Sequence, residues 1–261
     1  MKKKFISIFG KKICYELVNF QHQKPIIVFF HDALGSILQW KDFPDQLSNK
    51  LKLPCLIYDR HNHGFSENSP FEPKSNDYLE IEAVMVFPEL LKKMSIIQPL
   101  ILVGHSDGAS IAIMANSVLS KQIIANILIA GHVYVEDITI EGIKNTLSIY
   151  HETDMKSKLE QFHGKKTEDL FNAWYKIWLS EGFYSWNIEN YLNNIQCPTY
   201  IMQGDKDEYA TLKQVKSIEC GLRCTFKSWI VPGANHFLHK KYQDEVIVKI
   251  SKFLHDHISD F

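Results

Sequence analysis

Apolar residues along the chain fall into two rhythms. Short, unbroken runs rich in Ile, Val, Leu and Phe recur at Pro25–Phe30, Pro54–Tyr58, Leu100–Val103 and Ile123–Ala130. Runs of that length without polar alternation suit strands buried on both faces, as at the centre of a parallel sheet. Between them, helical periodicity predicts helices from about Leu38 to Lys50, from Tyr78 to Met94 and from Gly108 to Ser120. Phe5–Phe9 and Lys12–Val18 predict a hairpin around Gly10. Strands at Thr199–Met202 and Thr225–Val231 and an amphipathic helix from about Tyr242 to His257 close the pattern. Strand and helix in alternation predict a layered α/β sheet.

From Gly131 to Cys197 the rhythm changes to polar, helical sequence with many aromatic residues and no strand run. The expectation is a helical insertion at residues 133–195, carried by a core formed from 1–132 and 196–261. Internal repeats, low-complexity tracts and Gly/Ser linkers are missing from the sequence.

Composition narrows the classes. With 45% hydrophobic residues in 261, the chain can bury one sizeable core. Lys and Arg number 29 against 30 Asp and Glu, which speaks against nucleic acid as a partner. The apolar runs are too short to cross a bilayer. The start, Met1-Lys-Lys-Lys-Phe-Ile-Ser-Ile-Phe-Gly-Lys-Lys12, has an apolar stretch shorter than the roughly 7–15 residues of an export signal, and it is read as a strand. The five cysteines fit neither a disulfide framework nor a zinc spacing, so a reducing cytoplasm is expected.

The strongest chemical signal is Gly104-His-Ser-Asp-Gly108, set between an apolar strand and an Ala-rich helix. Two glycines permit a sharp strand-to-helix turn that exposes Ser106 Oγ and aims the first helical amides at whatever it attacks. A nucleophilic serine needs a base, and the base needs an orienting acid. Among 12 histidines, His236 is singled out because Pro232-Gly-Ala-Asn-His236 directly follows a late strand. The acid is open among Asp205, Asp207 and Glu208 in one loop, with Glu136 and Asp137 as a further region.

These motifs, with two more, resemble the α/β-hydrolase superfamily over nearly the whole chain. The two are His31-Asp-Ala-Leu-Gly-Ser36 after the third strand and Asp59-Arg-His-Asn-His-Gly-Phe-Ser66 after the fourth. The resemblance implies a doubly wound, mostly parallel sheet with a helical cap and a serine triad of Ser106, Asp207 and His236. Asp207 is selected by its place in Gly204-Asp-Lys-Asp207. It also implies an oxyanion hole from the amides of Ala33 and Asp107. Asp32 departs from the glycine usual at its position; it either bonds its own loop or serves the substrate. A carboxylate at Asp107 is eased by the dipole of its helix.

In the insertion, Trp174, Trp178, Phe183, Tyr184 and Trp186 crowd into thirteen residues. They form either a small cap core or, with His31, the wall of an apolar substrate pocket. His61-Asn-His63 lacks a further ligand at close spacing, so no metal is expected, and no cofactor either. The activity the resemblance implies is hydrolysis of a small apolar or aromatic carboxylic ester. Carbon–carbon bond hydrolysis of dienoates, cofactor-free haloperoxidase chemistry and a slow or non-catalytic small-molecule receptor are the alternatives. Ser106 argues against the related enzymes that place an aspartate at the elbow.

Overall fold

The computed structural model describes residues 3–20, 24–71 and 76–258. Its strands are β1 (Lys4–Ile8), β2 (Lys11–Val18), β3 (Ile26–Phe30), β4 (Cys55–Tyr58), β5 (Leu100–His105), β6 (Ile123–Ile129), β7 (Thr199–Gly204) and β8 (Phe226–Val231). They form one sheet in the order β1-β2-β4-β3-β5-β6-β7-β8. β1 and β2 make the expected hairpin, and β2 pairs antiparallel with β4. From β4 to β8 every pairing is parallel.

The helices are α1 (Phe43–Leu51), α2 (Tyr78–Ile81), α3 (Phe87–Lys93), α4 (Asp107–Leu119), α5 (Asp137–Glu152), α6 (Met155–His163), α7 (Thr167–Trp178), α8 (Glu181–Tyr184), α9 (Leu212–Gly221), α10 (Leu238–Lys241) and α11 (Gln243–His257). Strand geometry divides them into two layers, because successive side chains point to opposite faces. Ile26, Val28 and Phe30 pack with α2, α3, α4 and α9 residues such as Leu79, Phe87, Ile111 and Ile218. Ile27 and Phe29 face the other way, onto Phe43 and Leu47 of α1 and Val246, Ile250 and Phe253 of α11. Both faces of the central strands are therefore dry, which is why their sequences read as unbroken apolar runs.

Two predicted helices differ in detail. The one expected from Leu38 is a short 3-10 turn, Ile37–Trp40, followed by α1. Lys41 has φ 52 between them, and Pro44 sits in the first turn of α1, where a missing N–H costs nothing. The stretch from Tyr78 is continuous to Lys93 but contains a π segment at Glu82–Val86. Pro88 lies two residues beyond it; it cannot donate to the carbonyl four residues back, and the wider turn relieves its ring.

Between β6 and β7 lie α5 to α8, whose one strand-like contact among the described residues is a bridge between Tyr134 and Asn187. Tyr150, Leu159 and Phe171 form a small core of their own, with the Tyr150 and Phe171 rings stacked 3.7 Å apart. This segment is pinned over the strand ends. His163 Nδ1 accepts the Gly64 amide at 2.9 Å, and its Nε2 donates to the Leu34 carbonyl at 2.9 Å. Lys166 donates to the carbonyls of His63 and Ser66, and burial lowers its pKa.

Candidate active site

Open parallel sheets bind ligands beyond the carboxyl ends of their strands. Ser106 stands there, directly after β5 and at the N-cap of α4, with φ 55 and ψ −121. A non-glycine residue at positive φ is strained, and such strain persists only where the surroundings impose it. Two glycines impose it here. A Cβ on Gly104 would lie 2.2 Å from the Gly108 carbonyl oxygen, and one on Gly108 would lie 2.0 Å from that of Phe30. Both positions are backbone-to-backbone contacts, so the turn is closed to any larger residue.

After β7 and β8 the chain brings Asp207 and His236 together. His236 Nδ1 lies 2.9 Å and 2.8 Å from the two Asp207 carboxylate oxygens. The same carboxylate accepts from Gln203 Nε2 at 2.7 Å and from the Tyr209 amide at 2.9 Å. Burial alone would lower the His236 pKa, but the Asp207 charge and hydrogen bond raise it above the ordinary value. Burial would raise Asp207, yet the neighbouring imidazole holds it below the usual carboxylate range. Glu208 accepts the His236 amide at 3.0 Å, and Asp205 that of Gly233 at 2.7 Å. Glu136 is occupied elsewhere, holding Thr211 and Gln214.

Ser106 and His236 line one cavity of about 300 Å³, together with Ala33, Asp107, Trp174 and Trp178. Among the described hydrogen bonds none joins Ser106 Oγ to the imidazole. The amides of Ala33 and Asp107 likewise donate to no group among the described residues.

The acidic neighbours have defined partners. Asp32 bonds its own loop: Oδ1 accepts the Leu34 amide at 3.0 Å, and Oδ2 lies 3.3 Å from His105 Nδ1. Asp107 is buried, which pushes its pKa up despite its place in the first turn of α4; Arg60 and the Tyr78 hydroxyl oppose that rise. Tyr78 donates to Asp107 Oδ2 at 2.7 Å and accepts from Trp178 Nε1 at 2.9 Å.

Of the expected pocket residues, Trp174 and Trp178 line the cavity, whereas His31, Phe183 and Trp186 do not. His31 spends both ring nitrogens on backbone, donating to the Asp32 carbonyl and accepting the Arg60 amide. Phe183 is fully buried and stacks on Trp186 behind Trp178. His63 sets both nitrogens against the carbonyls of His61 and Ala33. Sequence reading missed Gln203, Tyr209, Tyr78 and His132. Only His132 had a usable signal, since it follows a buried strand at the end where sites form.

Sheet order, two-sided helical layers and a strained serine between β5 and α4 together define the architecture of an α/β hydrolase. The chain belongs to the alpha/beta hydrolase family, whose model matches residues 27–248. Solved structures with the same fold include an alpha/beta hydrolase enzyme from a Medee basin deep-sea metagenome library, at 18% identity, with 99% of each chain covered and a TM-score of 0.74. The enol-lactonase from Burkholderia xenovorans LB400 is similar at 16% identity, covering 96% of this chain and 99% of its own, with a TM-score of 0.72. The bromoperoxidase from Bacillus anthracis is similar at 17% identity, covering 97% and 99%, with a TM-score of 0.73. No helix among the described residues is long and apolar enough to cross a membrane.

Proposed function

We propose that the protein is a serine hydrolase acting on a small, apolar or aromatic carboxylic ester. The observation that carries this reading is the Asp207–His236 pair opening onto the same cavity as the strained Ser106. Asp207 keeps the proton of His236 on Nδ1, so Nε2 is left as the base. His236 takes the Ser106 proton as Oγ attacks the carbonyl carbon. The amides of Ala33 and Asp107, which have no hydrogen-bond partner among the described residues, receive the oxyanion. The alcohol leaves with the proton from His236, and water activated by the same imidazole releases the acid.

The apolar class is supported by Trp174, Trp178, Ile143 and Leu159 in the cavity wall. The helical segment at 133–195 supplies these residues and acts as the lid. A neighbour named an enol-lactonase is compatible with this chemistry, since a lactone is a cyclic ester. The test is labelling by a fluorophosphonate serine probe, with p-nitrophenyl esters of graded chain length and one dienoate as substrates. Wild-type protein labels at Ser106 and hydrolyses the esters, and Ser106→Ala does neither while keeping its melting temperature. Hydrolysis by Ser106→Ala near the wild-type rate overturns the assignment. Folded wild-type protein that never labels points instead to a small-molecule receptor.

A further inference from the structure

One polar group in the cavity wall is left unused by this mechanism. His132, just after β6, is 7% exposed; its carbonyl is held by Ser110 Oγ at 2.6 Å. Its ring stands 5.0 Å from that of Trp178 and 5.6 Å from that of Trp186. Burial pushes its pKa down to about 3, so the ring is neutral, with one N–H and one lone pair. Nε2 is buried without a hydrogen-bond partner, 3.6 Å from Asp107 Oδ1 and beyond bonding reach. Nδ1 makes no hydrogen bond among the described residues either.

Other polar residues of the cavity are already engaged. Thr139 donates to the Tyr209 carbonyl, Thr146 is paired with the Tyr209 hydroxyl, Gln39 donates to the Leu34 carbonyl, and Asp32 is held as described. Lys41 and Lys240 are exposed. Nδ1, which no described residue pairs, is the ring atom left to a ligand in the cavity that His132 lines.

The type of ligand group follows from which proton sits where. The Asp107 carboxylate beside Nε2 favours the proton on that nitrogen, which leaves Nδ1 as an acceptor. Asp107 Oδ1 is also unengaged, because the Tyr78 hydroxyl is on Oδ2. Both open atoms therefore accept, and the fitting group donates. Arg60 lies 3.9 Å from the same carboxylate and disfavours a second cation. A neutral donor, a hydroxyl, satisfies both conditions. We propose, resting on the reading of Ser106 as an esterolytic nucleophile, that the substrate is a hydroxylated ester and that His132 accepts the hydrogen bond of its hydroxyl group.

The experiment compares kcat/KM for p-nitrophenyl butanoate and its 2- and 3-hydroxy derivatives in wild type, His132→Phe and His132→Gln. Intrinsic reactivity of each ester cancels when the hydroxy-to-plain ratio is compared between proteins. Phe keeps the aromatic packing between the tryptophans but accepts nothing, while the Gln carbonyl still accepts. The ratio for at least one hydroxy ester is expected to fall about 5- to 150-fold in His132→Phe and to recover in part in His132→Gln. Melting temperatures identify a variant that fails to fold, and should that be His132→Phe, His132→Leu, which likewise accepts nothing, carries the comparison with the same fall expected. Equal ratios in wild type and the folded variants overturn the proposal for His132. Absence of any ester hydrolysis and of serine labelling in wild type overturns the underlying reading instead, so the two failures are separable.

Discussion

Replacing Asp207 by asparagine tests the acid and the base together. Every contact to the carboxylate comes from a donor: His236 Nδ1 at 2.8 Å, Gln203 Nε2 at 2.7 Å and the Tyr209 amide at 2.9 Å. An amide has one acceptor oxygen, so it cannot serve all three. The Tyr209 amide is backbone and fixed, and it claims the asparagine oxygen. The NH2 then occupies the place of Oδ2, facing Gln203 and His236. Gln203 can adapt, because its own Oε1 is buried without a partner and a flip of its amide presents that oxygen to the new donor. The NH2, 2.8 Å from Nδ1, favours the proton on Nε2, the tautomer that cannot take a proton from Ser106, while the asparagine oxygen at 2.9 Å still competes for the Nδ1 proton. We expect kcat on p-nitrophenyl butanoate to fall about 10⁴-fold, or about 5 kcal/mol of barrier. The melting temperature should move little, since the flipped Gln203 exchanges its Nε2 bond for one at Oε1. A loss below tenfold in folded protein refutes the tautomer argument, and Asp205→Asn, which disturbs only the bond to Gly233, should cost far less.

Four further expectations follow from the same site. Activity should fall on acidification along a limb above the ordinary imidazole value of 6.5, because His236 must be neutral to act and Asp207 raises its pKa; a kcat/KM profile in wild type and Asp207→Asn should show the limb moving down in the variant. For stability the signs are opposite: raised His236 contributes below 6.5 and loses that contribution as pH climbs through its folded value, while lowered Asp207 contributes above 3.8 and loses it as pH falls through its own, which a pH series of melting temperatures reads. Gly108→Ala would set a Cβ 2.0 Å from the Phe30 carbonyl, so the elbow must move, and serine labelling should slow about a hundredfold or more; labelling at the wild-type rate would contradict the close approach. Trp178→Ala removes a 2% exposed side chain that also lines the cavity, so about 3–5 kcal/mol of stability, or roughly 6–20 °C, should be lost together with the preference for long or aromatic esters; an unchanged chain-length profile would retire it as a pocket wall.

The fold was legible because its two-faced central strands leave an unambiguous trace. Ile26–Phe30 and Leu100–Val103 are apolar at every position since each face meets a helical layer, and no surface helix produces that pattern. α9 left a weaker trace: it buries only Gln214, Val215 and Ile218 of its length, and one of these is polar. The elbow was legible because only glycine fits two backbone approaches near 2 Å. The pocket was harder. Trp174, Trp178, Phe183 and Trp186 carry the same chemistry in the sequence, and their separation into wall and backing depends on how the helices after β6 pack on one another. His31 illustrates the same point, since a histidine that bonds backbone at both nitrogens cannot be told from one that faces a substrate until the chain crossing it is known.

Asp32 shows how a residue that breaks the family pattern can still be consistent with the fold's chemistry. A carboxylate beside an oxyanion site would oppose the developing charge if its own were unanswered. Here Oδ1 is taken by the Leu34 amide and Oδ2 faces His105. Burial would raise its pKa, but His105 and the more distant Lys240 hold it well below the carboxylate range, so the group stays an acceptor. A glycine at the position could make neither side-chain bond. The consequence is mechanical as well as electrostatic. His105 lies next to Ser106 in sequence, and its Nε2 stands 3.0 Å from the His236 carbonyl. The Asp32 carbonyl in turn accepts from His31 Nδ1 and from Arg60 at 2.7 Å. One side chain and its carbonyl therefore connect the loop after β3, the loop after β4, the elbow and, through His105, the histidine loop after β8. Those loops supply Ala33, Ser106 and His236, whose relative placement any acyl transfer on this scaffold would require.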